Sequence, residues 1–251
     1  MMKKWILAAM VSLVAASVYG EAIRPLLTKE NKFPDKYGLE IGAVGQFKQL
    51  NEKEKDRDRE TDVWWGIPYV RYGVADYFAV FGKVPYGSIR PETGSDEEGI
   101  GDVSVGFELR AYEDIFTYPF VIPHAEVFFD TGDDEKGLGE GETHAMGGIA
   151  VGTVVEETVQ FVGDLRYEVF DNKDNVASLA VSVLWDLNEK FAVLGEMKAA
   201  DEEVDDHSYT MFFQGGLCYK VTEALDVNVY GGAGKNTDED VVASMKISYS
   251  F

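Results

Sequence analysis

The sequence predicts an all-β fold: a closed antiparallel transmembrane β-barrel of about twelve strands in meander order. Three observations predict it. Apolar and polar residues alternate with period two along the chain, the connections alternate strictly between short turns and longer polar loops, and an export signal precedes both.

The export signal comes first. Lys3 and Lys4 precede the apolar run Trp5 to Val14, and small residues follow, the layout of a secretory signal peptide over residues 1–20. The run is too short to cross a bilayer, which takes roughly 20 apolar residues. Cleavage is read after Gly20, with Ala16 and Ser17 as alternatives. Residues 21–36 are then expected as a periplasmic N-terminal segment and 37–251 as the barrel.

The period-two pattern is clearest in the last segment, where Val241, Ala243, Met245, Ile247, Tyr249 and Phe251 interleave with Ser244, Lys246, Ser248 and Ser250. One face is apolar and the other polar. The same reading elsewhere gives strands at 38–50, 61–73, 77–87, 100–112, 117–130, 143–155, 159–171, 176–187, 190–200, 208–221, 225–235 and 240–251. These exceed the roughly 5–6 residues usual in soluble sheets and reach the roughly 9–11 that a tilted strand needs to cross hydrocarbon. No later apolar run could serve as a membrane helix, so insertion requires a sheet with no free edge.

Short turns lie near Gly73 to Asp76, Glu113 to Phe116, Glu156 to Thr158, Leu187 to Lys190 and Thr222 to Leu225. Longer loops run from Asn51 to Glu60, Ser88 to Glu98, Thr131 to Glu142, Asp171 to Asn175, Asp201 to His207 and Asn236 to Glu239. Outer-membrane barrels put the turns in the periplasm and the loops outside. Tyrosine and phenylalanine crowd the strand ends, where aromatic girdles form.

Composition narrows the partners. The chain carries 23 basic and 45 acidic residues, a net charge of −22, and losing Lys3 and Lys4 takes it to −24. Nucleic acid is excluded as a partner, since its binding needs a basic surface. With one cysteine, Cys218, no intramolecular disulfide can form. Acids concentrate in the loops, including Glu52, Glu54, Asp56, Asp58 and Glu60, Asp133-Asp134-Glu135, and Asp201-Glu202-Glu203. They are candidates to hold divalent cations, although no run has calcium-loop spacing and a solvated face explains them more simply.

With the odd positions of the last strand facing lipid, the residues expected to line the lumen are Asp102, Glu108, Arg110, Glu126, Asp164, Arg166, Glu168, Glu196, Lys198, Lys220 and Lys246. Charge is tolerated there and costly on the lipid face. The simpler account is mutual neutralisation in a filled barrel, and strand number does not decide between them. His124, His144 and His207 are the only histidines, and none lies in a catalytic motif. Gly137, Gly139 and Gly141 read as turn glycines. No catalytic residue, cofactor or metal site is expected.

The stretches Gly99–Arg110 (GIGDVSVGFELR) and Pro123–Gly141 (PHAEVFFDTGDDEKGLGEG) resemble the outer-membrane barrels of the meta-pathway of phenol degradation family. The likeness covers residues 37–251, with its specific part at 99–152. It implies a porin-like, transporter-like barrel in the bacterial outer membrane for small solutes, hydrophobic or aromatic ones among them. Ile247, Tyr249 and Phe251 resemble the C-terminal signal read by the barrel assembly machinery. The expected partners are outer-membrane lipid, that machinery and small-molecule solutes. Two other readings stay open: a structural or surface-interaction barrel with a plugged lumen, and a lipid-modifying barrel enzyme.

Overall fold

The computed structural model describes residues 24–54, 57–92, 94–113, 119–201, 209–237 and 239–251. The expected signal peptide, Asp56, Phe116, Tyr118, the acids at 202, 203, 205 and 206, and His207 lie outside them. The described residues form one twelve-stranded antiparallel sheet closed on itself. The strands are β1 (Leu39–Glu54), β2 (Arg57–Ala75), β3 in two pieces (Phe78–Lys83 and Tyr86–Pro91), β4 in three (Glu97–Ile100, Val103–Leu109 and Tyr112–Glu113), β5 (Phe120–Phe129), β6 (His144–Val155), β7 (Val159–Val169), β8 (Val176–Asp186), β9 (Phe191–Ala200), β10 (Thr210–Lys220), β11 (Leu225–Lys235) and β12 (Glu239–Ser250). Each pairs with the next, and β1 pairs with β12 from Glu40↔Ser250 to Leu50↔Glu239. Closure leaves no edge to pair with another chain or to meet lipid unsatisfied.

The alternation becomes two environments. On β12, Val241, Met245 and Ile247 are exposed on the outer face, while Val242, Ser244, Lys246, Ser248 and Ser250 are buried inside. Around the wall, Ile149, Val151, Leu165, Leu179, Val183 and Leu217 are likewise exposed. That band is an apolar belt for lipid.

Two expected loops are shorter than the sequence suggested. The β1–β2 ladder continues through Asn51↔Glu60, Glu52↔Arg59, Lys53↔Asp58 and Glu54↔Arg57. Ser88 to Pro91 and Glu97–Glu98 are also strand, so the second expected loop loses residues at both ends.

The wall is interrupted where two neighbouring strands break side by side. β3 breaks at Val84 and Pro85, where proline has no N–H for the ladder, and β4 breaks opposite at Gly101 and Asp102. From Lys83↔Ser104 to Tyr86↔Ile100, β4 uses one residue more than β3, a β-bulge that switches which β4 residues face inward.

Candidate functional site

The interior is built from two sources, the inward side chains of the wall and the segment preceding β1. Residues 24–34 enter at the short-turn end and lie inside the barrel, and Asp35 and Lys36 lie against the β2–β3 turn. Phe33 seats among the inward residues Ala79, Phe120, Ile122, Ala150 and Val162. Leu26 packs on Leu184, Ala192, Leu194, Cys218 and Tyr230. Burying each large side chain is worth about 1.5–3 kcal/mol.

Polar ties fix the rest of this plug. Both Glu196 carboxylate oxygens accept backbone amides, from Leu27 at 2.9 Å and Leu26 at 3.1 Å, and Gln214 donates to the same carboxylate at 2.5 Å. Thr28 Oγ1 lies 2.7 Å from Ser182 Oγ, and Tyr230 donates its hydroxyl to the Arg24 carbonyl at 2.5 Å. Arg24 pairs with Glu30 at 2.6 Å and also with Asp186, while Arg166 and Arg71 donate to the Leu27 and Lys32 carbonyls. The guanidiniums of Arg71 and Arg110 cover the Phe33 ring at 5.3 and 4.9 Å. An extended segment with no ladder of its own must find such partners for its buried backbone.

The residues expected to line the lumen fall into several places. Glu108, Glu126, Asp164, Glu196 and Lys246 face inward and are buried, and Arg166 is partly buried beside Asp164. Glu168 and Lys198 face inward nearer the loop end and are half-buried. Arg110 sits at the short-turn end, paired with Glu113 at 2.9 Å, and Lys220 is at the same end. Asp102 serves the loops: its carboxylate accepts the amides of Thr131 (3.1 Å), Gly132 (2.9 Å) and Glu140 (2.8 Å).

Asp102 explains why the two sequence stretches at 99–102 and 131–141 occur together. The β5–β6 loop folds over the inner side of the β3–β4 break, with Leu138 buried and an added Cβ on Gly99 falling 3.0 Å from it. A Cβ on Gly139 would lie 2.8 Å from the Asp102 carboxylate, and Gly137 and Gly141 have φ of 70° and 73°. Only glycine suits both demands. Glu142 ties this loop to the next by accepting the amides of Asp171 and Asn172 at 2.9 and 2.8 Å. Lys173 adds a 2.7 Å pair with Glu140, whose carboxylate holds the ammonium above the ordinary lysine range.

Both described histidines are accounted for by packing. His124 is buried, 2.9 Å from Asp164, with its ring over Gly148, where a Cβ would come within 2.5 Å. His144 is stacked between Phe128 and Phe170 at 4.5 and 4.6 Å, with Nδ1 facing the Glu142 carbonyl and Nε2 3.0 Å from Glu168. Among the described residues, no group of three or more His, Cys, Asp or Glu is placed to hold a metal ion.

Between plug and mid-barrel wall lies a cavity of about 300 Å³. Pro25 to Lys29 form one side, and the wall contributes Val44, Ile67, Tyr69, Phe81, Lys83, Met146 and Lys246. Four wall residues mark this filled interior in the sequence itself. Phe120, Ile122, Leu184 and Leu194 are apolar at inward positions, where a water-filled lumen would be polar.

The family model described as “Putative MetA-pathway of phenol degradation” matches residues 41–251. The chain belongs to this family. It is an outer-membrane β-barrel with a porin-like fold. The COG4313 outer membrane channel from Pseudomonas putida F1 superposes with a TM-score of 0.70 at 14% identity, covering 94% of this chain and 100% of that one. The KdgM porin in complex with disordered oligogalacturonate gives 0.59 at 14% identity, with 84% and 99% covered. The NanC porin gives 0.58 at 12% identity, with 84% and 98% covered. At such identities the likeness is one of fold. No curated protein matches the chain by sequence.

Proposed function

We propose that the protein is an outer-membrane channel that passes small solutes, aromatic ones among them, through the barrel interior and is not an enzyme. The observation that carries this is the cavity of about 300 Å³ bounded by the plug, the lower end of the size range of small-molecule sites. Solutes enter from the loop end, reach the cavity past Glu168 and Lys198, and leave as residues 24–36 give way. Glu108, Glu126, Asp164, Arg166, Glu196 and Lys246 are the wall of that route, while Asp102 and Arg110 act at its two ends. Family membership and the shared fold of solved channels and porins support the reading. His124 pairs with Asp164 and His144 is stacked between Phe128 and Phe170, so each is held in the packing of the wall.

A second reading, a surface barrel with a blocked lumen, is favoured by the plug itself. Planar-bilayer conductance and liposome swelling decide between the two. The full chain should conduct, and deleting residues 24–36 should enlarge the conductance. Absence of flux from the folded full chain would overturn the channel reading.

The edge-to-face pair of Tyr249 and Phe251, 4.7 Å between ring centroids, together with Ile247, is the surface we assign to the assembly machinery. Acid at the loop ends is the region we assign to divalent cations. Ile247→Ser with Phe251→Ser should lower insertion in cells, and chelator should leave conductance unchanged while weakening any loop-borne cation effect on protease resistance.

A further inference from the structure

The chain as a whole is strongly acidic, at −22, but the charge that the central cavity presents has the opposite sign. The reason lies in how its ion pairs are oriented. Lys83 meets Glu126 at 2.7 Å, Arg166 meets Asp164 at 2.7 Å, and Lys29 of the plug meets Glu108 at 3.3 Å. In all three the carboxylate is the deeper partner, exposed by 3%, 0% and 1%, against 38%, 20% and 16% for the cations. Arg71 and Glu40, 3.1 Å apart, are both buried.

Chain length and secondary donors produce this asymmetry. Short acidic side chains stay against the wall, where each finds a further partner: Ser104 donates to Glu126 at 2.6 Å, Tyr69 to Glu40 at 2.7 Å, and His124 lies 2.9 Å from Asp164. Long basic side chains carry their heads past the carboxylates into the open space. Lys29 and Lys83 also share the face of Phe81, at 4.8 and 5.1 Å from its centroid, and Lys246 lies 5.4 Å from that of Tyr69. A solute in the cavity therefore meets ammonium and guanidinium groups first. Beside them lie Leu26, Val44, Ile67 and Met146, an apolar flank. The acidic loops do not reverse this field, because exposed charges are screened beyond about 8 Å at physiological ionic strength whereas partly buried ones are screened less.

We propose that this cavity is a binding subsite for small amphipathic organic anions, monocarboxylates with a compact apolar body. The carboxylate meets Lys83, Arg166 and Lys29, and the apolar body lies against Val44, Ile67 and Met146. The inference rests on the channel reading for its role in passage, but binding can be measured without current.

The test uses three probes of similar shape and different charge at neutral pH: benzoate, benzyl alcohol and benzylamine. In planar bilayers carrying the full-length protein, the reversal potential in a KCl gradient should show anion preference. Benzoate should reduce the current saturably, and the other two should not at equal concentration. Calorimetric titration of benzoate into detergent-solubilised folded protein reads the same site directly. Lys83→Gln with Glu126→Gln removes an ion pair without stranding a buried charge, and should weaken benzoate binding by about tenfold or more. Met146→Glu, which keeps Lys83 and Glu126 and places a further carboxylate beside the cavity, should act in the same direction and serves if the double variant does not fold. Equal or stronger binding of benzylamine, or benzoate binding unchanged in the variants, would overturn the proposal. Benzoate binding without any conductance would refute the channel reading and leave the subsite standing.

Discussion

Glu196→Ala removes the carboxylate that accepts the Leu26 and Leu27 amides, and it leaves the Gln214 side chain without that partner. Hydrogen bonds to a charged group contribute about 1.5–3 kcal/mol each. Two of them give about 3–6 kcal/mol, and relief from holding a buried carboxylate offsets part, so the lower end, about 3 kcal/mol, is the working value. That is about a hundredfold in the population of barrels whose plug has left its seat. The remaining ties, among them Phe33 in its apolar seat and Arg24 on Glu30, keep the closed state detectable. Single-channel recording should show more frequent and longer open events, and trypsin should cut at Lys29 or Lys32 faster. Glu196→Gln keeps one acceptor oxygen and should show an intermediate effect. Unchanged gating and unchanged proteolysis, in a variant that still migrates faster unboiled than boiled, would refute the assignment of Glu196 as a latch.

Three other outcomes follow from the wall and loops. Leu165→Arg places a cation on the outer face at a residue that is 62% exposed and mid-strand. It should cost about 2–4 kcal/mol in denaturant titrations of the protein in lipid vesicles, and no loss would mean that this face does not meet hydrocarbon. Gly152→Val drives a side chain into the Phe120 ring that covers it, for about 1–3 kcal/mol, read as a lower temperature for loss of the fast-migrating form. Asp102→Ala frees three loop amides and should raise hydrogen exchange and tryptic cutting at Lys136 while the barrel's own denaturation midpoint moves by less than about 1 kcal/mol, since the carboxylate is partly solvated. A fall of the midpoint as large as that of the loop protection would show that Asp102 supports the wall as well.

Legibility varied with how local the cause was. The faces of β12 could be read residue by residue from Val241 to Ser250, because a strand's side-chain period is two whatever surrounds it. Loop lengths were less legible. The stretch from Asn51 to Glu60 looks like a polar loop, and its register pairs Glu52 with Arg59 only once the hairpin is formed. Period-two counting puts Asp102 in one row with Glu108, and the one-residue bulge at the β3–β4 break interrupts that row before Asp102, whose carboxylate takes the loop amides. The inward apolar residues Phe120, Ile122, Leu184 and Leu194 carried a signal for a filled interior, but two-sided apolar strands have several explanations until something is seen to occupy the inside.

By itself the sequence determined that the chain forms a closed meander of long strands with one face for lipid, because hydrocarbon leaves no other arrangement for unpaired backbone groups. Only the tertiary structure decided what fills the barrel and which sign of charge faces the space that remains. Those outcomes depend on residues more than a hundred positions apart, Leu27 with Glu196 and Thr28 with Ser182. Local periodicity carries no information about such meetings, whereas the depth to which a short carboxylate or a long ammonium reaches across a curved wall fixes them.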